Sequence, residues 1–174
     1  YPESELLTVV ADVSDEKAVK NYVDATVEKF GRIDGFYNNA GIEGKQASIT
    51  EYDVDIFKKV IDINLLGVYY GLKYVIPVMQ KQGEGRIVNV ASVGGLRGVL
   101  NQSPYVATKH GVVGITKNAA LEYGNQGILT NAIAPGAILT PMVAEAFKQV
   151  NPDDPKKAEA EYAKRNPTKR LGEP

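Results

Sequence analysis

The sequence has no cysteine and a single histidine, His110. Without thiols there are no disulfides and no thiolate ligands. One imidazole excludes any cluster of histidine metal ligands, so no metal site is expected. The absence of cysteine fits a reducing cytosol, and a cytoplasmic protein is the expectation. Charge of one sign is not in excess, with 20 Lys+Arg against 21 Asp+Glu and a formal net charge of −1. That removes the general electrostatic case for nucleic acid or an anionic membrane as a partner. No apolar run approaches the ~18 residues of a spanning helix. What remains is 174 residues with 44% apolar content, enough for one domain, residues 1–174, with a buried core.

The apolar pattern alternates between two periods. Residues 6–11 (LLTVVA) form a short β-branched run, read as a buried strand. Ser14 is read as the N-cap of a helix opened by Glu16 and Lys17. Val19, Tyr22, Val23, Thr26, Val27 and Phe30 recur at helical spacing, and Gly31 ends that helix. A strand over 33–37 closes in NNAG (38–41), and a polar loop over 42–50 follows. The pattern from about 53 to 80 predicts one long helix with Ile56, Val60, Ile63, Gly67, Tyr70 and Tyr74 as its stripe. A strand over 86–91, a Gly-rich loop and a helix opened by Ser103-Pro104 come next. Val112, Ile115 and Ala119 mark the buried face of that helix. A further strand spans 128–134, then PGAILTPM, then a charged helical stretch over 143–165. The lysine-rich region 148–170 is mixed with acids and reads as a solvated helix face. Strand-helix alternation throughout predicts parallel strands with helices on both faces, an α/β doubly wound sheet.

Three groups near the middle of the chain carry chemistry. Tyr105 and Lys109 are four apart on the predicted helix, so they share a face. An adjacent ammonium favours a phenolate and would turn a weak base into a usable one. Equally, a helix can carry Tyr and Lys four apart by chance. Ser92 ends a strand, where a parallel sheet presents its ligands, or is a loop serine bonded to backbone. Asn64 sits inside an apolar helical pattern that disfavours Asn. It is a residue for holding a water next to Lys109, or one that accommodates a local kink. A serine hydrolase does not fit, because Ser92 lacks the G-x-S-x-G elbow and His110 adjoins Lys109, off its face.

NNAG at 38–41, Asn64, Ser92, YVATK at 105–109 and PGAILTP at 135–141 occur together, in order. In these motifs the sequence resembles the short-chain dehydrogenase/reductase family. The resemblance implies a Rossmann-type three-layer αβα fold and hydride transfer between a nicotinamide and a ketone or secondary alcohol. It makes Tyr105 the general acid/base, Lys109 its support and ribose ligand, Ser92 the substrate-orienting hydroxyl and Asn64 part of a proton relay. It also places Asp12 and Val13 at the adenine, and Asn39, Ala40 and Gly41 on the adenosine and phosphate side. Pro135, Gly136, Ile138 and Thr140 would hold the nicotinamide. NAD is the implied cofactor, with NADP left open. Similarity in the loops extends to members acting on alicyclic ketones. The substrate walls would be residues 93–102 and 142–147, within a substrate-loop region of about 136–165. The alternatives are a 3-oxoacyl-thioester reductase and a dinucleotide-binding member that catalyses nothing. The helices bearing Asn64 and Tyr105 would pack between subunits of a homotetramer or homodimer, through Ala119, Ala120, Leu121 and residues 65–70.

The family's Gly-rich dinucleotide loop and its final strand and helix have no counterpart in this sequence. Gly83-Glu84-Gly85 lacks a third glycine and precedes a strand instead of following one, so it is no substitute. Two βα units, roughly 50 residues, are expected upstream. In the family sheet order 3-2-1-4-5-6-7 their strands lie between the 6–11 and 33–37 strands. The 174 residues alone would leave apolar strand edges unpaired. Calorimetry and NAD titration of the isolated chain are expected to show neither a cooperative melt nor micromolar binding; either one overturns the expectation.

Overall fold

The computed structural model describes residues 2–174. Its sheet holds three parallel strands, β1 (Gly35–Asn38), β2 (Gly85–Val90) and β3 (Ile128–Ile133), adjacent in that order. Helix α1 (Glu16–Phe30) precedes β1. Between β1 and β2 run α2 (Val54–Ile61), a π-helical turn (Asp62–Leu66) and α3 (Gly67–Gln82). Helix α4 (Ser103–Tyr123) crosses from β2 to β3, and α5 (Pro141–Val150) and α6 (Pro155–Ala163) follow. The fold is Rossmann-like α/β, as the alternation of periods predicts.

The strand register sorts side chains by face. Ile87 and Ile128 point into a core shared with Val75 and Met79 of α3, Val112 and Ala119 of α4, and Val23 of α1. Asn89, on the same face, donates from Nδ2 to Thr116 Oγ1 of α4 at 3.0 Å. The opposite row is open: Tyr37 is 59% exposed and Leu129 48%. Among the described residues, α1, α3 and α4 therefore cover one face of the sheet.

Four local readings change. Residues 6–11 form no ladder, and Val10 is 99% exposed. A strand exists only through a hydrogen-bonded neighbour, and none lies beside this run among the described residues. Its backbone is held instead by Lys29, whose Nζ donates to the Leu6 carbonyl at 2.7 Å. Ile33 falls outside β1 because Gln82, the last residue of α3, takes both of its backbone groups at 2.8 Å. Asp15 caps α1, accepting from the Lys17 N–H, while Ser14 donates to Asp12. The 143–165 stretch is two helices, because Thr140 and Asp154 each cap a helix with Pro at its first position.

The long 53–80 helix is interrupted by the π-turn, which is closed by the Gly67 N–H on the Asp62 carbonyl. One extra residue in that turn rotates everything after it by about a quarter turn. Beyond it the buried face is Gly67, Val68, Leu72, Val75, Ile76 and Met79; of the predicted tyrosines, Tyr74 packs half-buried against this core and Tyr70 is half-buried outside it.

Gly127 turns the chain into β3 at φ 78°, and a Cβ there would lie 2.5 Å from the Gly83 carbonyl oxygen. Gly127→Ala is expected to cost about 2–3 kcal/mol in urea denaturation of the full-length protein.

Candidate active site

The carboxyl ends of the three strands meet at one edge, and the chemistry-bearing residues collect there. Ser92 follows β2 and accepts the Gly94 N–H at 3.1 Å, which holds its hydroxyl at a short 3-10 turn. That turn carries the chain back against α4. A Cβ on Gly95 would sit 2.6 Å from the Lys109 carbonyl, so only glycine fits this approach. Tyr105 and Lys109 occupy successive turns of α4, with Lys109 Nζ 5.6 Å from the Tyr105 ring centre. Lys109 is 4% exposed, and its ammonium donates to the Val90 carbonyl at 2.8 Å.

Asn64 stands in the π-turn and is fully buried. Its Oδ1 accepts the Ile42 N–H at 2.8 Å and its Nδ2 donates to the Ile42 carbonyl at 2.7 Å. The amide thus clamps the loop that leaves NNAG. A Cβ on Gly41 would lie 3.2 Å from Asn64 Oδ1 and 3.6 Å from Lys109 Nζ, so NNAG, the π-turn and α4 converge at that glycine.

The electrostatics depart from the Tyr–Lys expectation. Burial pushes the Tyr105 phenol up, the Ser92 hydroxyl facing it opposes the rise, and the Glu43 carboxyl adds to it. Burial also pulls Lys109 down, to about 8. The same dry surroundings that bring the pair together disfavour charge on both members.

Of the residues assigned to the cofactor, 39–41 and 135–136 follow the carboxyl ends of β1 and β3. Asn39 and Ala40 are exposed just after β1. Pro135 follows β3, and its carbonyl accepts the Val93 N–H at 3.0 Å. Gly136 has open space where a Cβ would be. Ile138 bridges to Gly172, and the Thr140 hydroxyl caps α5. Val13 packs on Gly67, and Asp12 is held below the usual carboxylate range by the Ser14 hydroxyl and N–H. An open strand edge lined by small residues, with an ammonium at its floor, fits the nicotinamide end of a dinucleotide.

A cavity of about 820 Å³ adjoins Ser92 and Tyr105. Its walls include Val93, Val99 and Gln102 on one side and Met142, Val143 and Phe147 on the other, within the two stretches read as substrate walls. Glu43, which sequence reasoning missed, lines it too, as do Gln149 of α5, Lys157, Glu161 and Tyr162 of α6 and Arg165 after it, which fall in the 136–165 stretch read as the substrate-loop region. An acid two residues beyond NNAG was the one available signal for Glu43. His110 is exposed and lies outside this cavity.

A family model, short chain dehydrogenase, matches residues 2–151. The chain belongs to the short-chain dehydrogenase family. Among its relatives, levodione reductase of Leifsonia aquatica is 59% identical over 172 residues, 99% of this chain and 64% of that protein. Cyclohexanol dehydrogenase of Acinetobacter sp. (strain SE19) is 43% identical over 94% of this chain and 61% of its own length. A crystal structure of levodione reductase superposes with a TM-score of 0.96 at 59% identity, covering 99% of this chain and 67% of the other. NAD+-bound xylitol dehydrogenase superposes at 0.89 with 35% identity, over 94% of this chain and 66% of the other. The chain thus spans less than two thirds of the length of the two sequence relatives.

Asn64→Leu strips the Ile42 backbone of both partners. It is expected to cost about 2–4 kcal/mol in chemical denaturation, and Asn64→Asp is expected to be destabilising too, because its second oxygen faces the Ile42 carbonyl with no proton to donate when ionised.

Proposed function

We propose that the protein containing this chain is an NAD(P)-dependent oxidoreductase acting on an alicyclic ketone or its secondary alcohol. The carrying observation is Ser92 and Tyr105 on one cavity wall with Lys109 buried beside the ring. The relatives' names support the substrate class: one is a levodione reductase and another a cyclohexanol dehydrogenase.

In this reading Ser92 donates a hydrogen bond to the substrate oxygen, and Tyr105 gives that oxygen a proton or takes one from it. Lys109 meets the ribose and, when charged, favours the phenolate. Asn64 keeps the NNAG loop in place and is part of the proton relay beside Lys109. Asp12, Val13, Asn39, Ala40 and Gly41 hold the adenosine half, and Pro135, Gly136, Ile138 and Thr140 the nicotinamide half. The bound nicotinamide supplies or accepts the hydride. NAD is the cofactor proposed, and direct titration against NADP decides the preference.

The apolar wall of Val93, Val99, Leu100 and Phe147 suits a compact substrate of low charge. Lys157 and Arg165 line the cavity, but Glu161 stands with them, so the basic rim that a thioester carrier would call for is lacking among the described residues. A homotetramer or homodimer is supported by Leu121, 85% exposed on α4, and Tyr69, exposed on α3, whereas Ala119 belongs to the core. A cytoplasmic location is supported by the lack of cysteine. Among the described residues no helix is long and apolar enough to cross a membrane.

Tyr105→Phe in the full-length protein is expected to cut turnover by about 10²–10⁴-fold while NAD still binds, measured by NADH absorbance and by titration. Loss of binding, or retained turnover, sinks the assignment. Because burial holds the phenol above its usual range, ketone reduction, which needs the protonated form, should persist through neutral pH. Alcohol oxidation, which needs the phenolate, should climb with pH. Rate profiles in the two directions check the opposed slopes.

A further inference from the structure

Residues 139–171 carry α5 and α6 and are pinned together at their base. There the Leu139 N–H donates to the Gly172 carbonyl at 2.9 Å, and the Gly172 N–H to the Ala137 carbonyl at 3.2 Å. Beyond that base the two helices hold mainly to each other. Phe147 of α5 meets Tyr162 of α6 with ring centres 5.8 Å apart. Phe147 is the one buried residue of α5, and α6 has none. Neither helix adds a residue to the core under the sheet. Among the described residues, 141–169 make two hydrogen bonds to the rest of the protein, and Gln149 makes both.

Gln149 Oε1 accepts the Gln46 N–H at 3.0 Å, and its Nε2 donates to the Gly44 carbonyl at 3.4 Å. Both partners are backbone groups of the loop after NNAG, and the body of the protein holds that loop still. Asn64 takes both groups of Ile42. The buried Tyr52 hydroxyl accepts the Lys45 N–H at 2.9 Å, and the Asn101 carbonyl accepts the Ala47 N–H at 3.0 Å. Gly44 stands at φ 84°, where a Cβ would lie 2.5 Å from the Tyr52 oxygen. Gln149 therefore joins a fixed anchor to a unit with little else to hold it. That unit supplies Met142, Val143 and Phe147 to the cavity that Ser92 and Tyr105 line.

We propose that Gln149 is a positioning residue, a latch whose amide holds the α5–α6 unit against the loop after NNAG and so keeps the cavity wall closed on a substrate at Ser92 and Tyr105. The substrate in this inference rests on the oxidoreductase reading above, and the latch does not. With the latch broken, the unit is hinged at 137–139 and 172, and the apparent affinity for ketone falls with the fraction of molecules whose wall is in place. Saturating ketone restores the closed wall through its own contacts, so turnover at saturation is kept. Pro135 and Gly136 precede the hinge and keep their places.

The test compares the full-length enzyme with Gln149→Met, which has similar length and no hydrogen bond to offer, and with Gln149→Asn, the same amide one methylene short of its partners. Amide hydrogen exchange reads the latch directly. In both variants exchange should speed about tenfold at Gln46 and through α5 and α6, and stay unchanged in α4. With NADH, the KM for cyclohexanone should rise about five- to tenfold, while kcat and the NADH dissociation constant stay within about twofold. A side chain with only a general structural role would speed exchange in α4 as well, and would weaken NADH together with ketone. That pattern overturns the proposal, as does unchanged exchange at Gln46 or an unchanged ketone KM in Gln149→Met. Wild-type enzyme that reduces no alicyclic ketone overturns the oxidoreductase reading, and the exchange rates then decide the latch by themselves.

Discussion

A buried ammonium at the carboxyl edge of the sheet is the constraint around which the rest of the site is arranged. Lys109 is almost wholly enclosed, and its ammonium donates to the Val90 carbonyl. Taking a charge out of water is costly unless polar groups surround it, and here that cost has drawn the lysine down to about 8. The neighbours are shaped to permit the burial. Gly95 lets the 3-10 turn lie on the α4 backbone, and Gly41 leaves room for both Nζ and the Asn64 amide. Three segments far apart in sequence therefore have to meet within a few ångströms of one side chain.

The π-turn is the device that makes the meeting geometrically possible. A regular helix from Val54 to Gln82 would keep one stripe facing the core along its length. The extra residue lets α2 and α3 present different faces, so that Asn64 can reach Ile42 while Val68, Leu72 and Val75 still pack under the sheet. Irregular helical geometry recurs at functional sites for this reason: it re-aims a side chain without breaking the element that carries it. The same economy appears in Gln82, which ends α3 and sets the start of β1 by occupying the backbone of Ile33.

Dryness in this site acts in two directions. It raises the tyrosine and lowers the lysine, two residues that α4 holds side by side. A catalytic pair described only by its spacing would have the opposite sign for the tyrosine. Coulombic attraction between neighbours depends on both being charged, and desolvation acts on each before they can attract one another. Glu43 is subject to the same desolvation, which makes it a group that can hold a proton near neutral pH.

Much of the fold and part of the site were legible in the sequence, for physical reasons that can be separated. Strand-helix alternation, the Gly31 stop and the Ser103-Pro104 start depend on local backbone preferences, and they stand where the pattern put them. The Tyr105–Lys109 relation is one helical turn, so spacing alone determined it. The exposed 6–11 run, the delayed start of β1 and the π-turn depend on which groups find hydrogen-bond partners, and partners come from distant segments. Glu43 entering the cavity, Asn64 clamping Ile42 and the upward shift of the phenol were decided by tertiary structure alone. Burial and hydrogen bonding are properties of what surrounds a side chain, and only the folded chain specifies those surroundings.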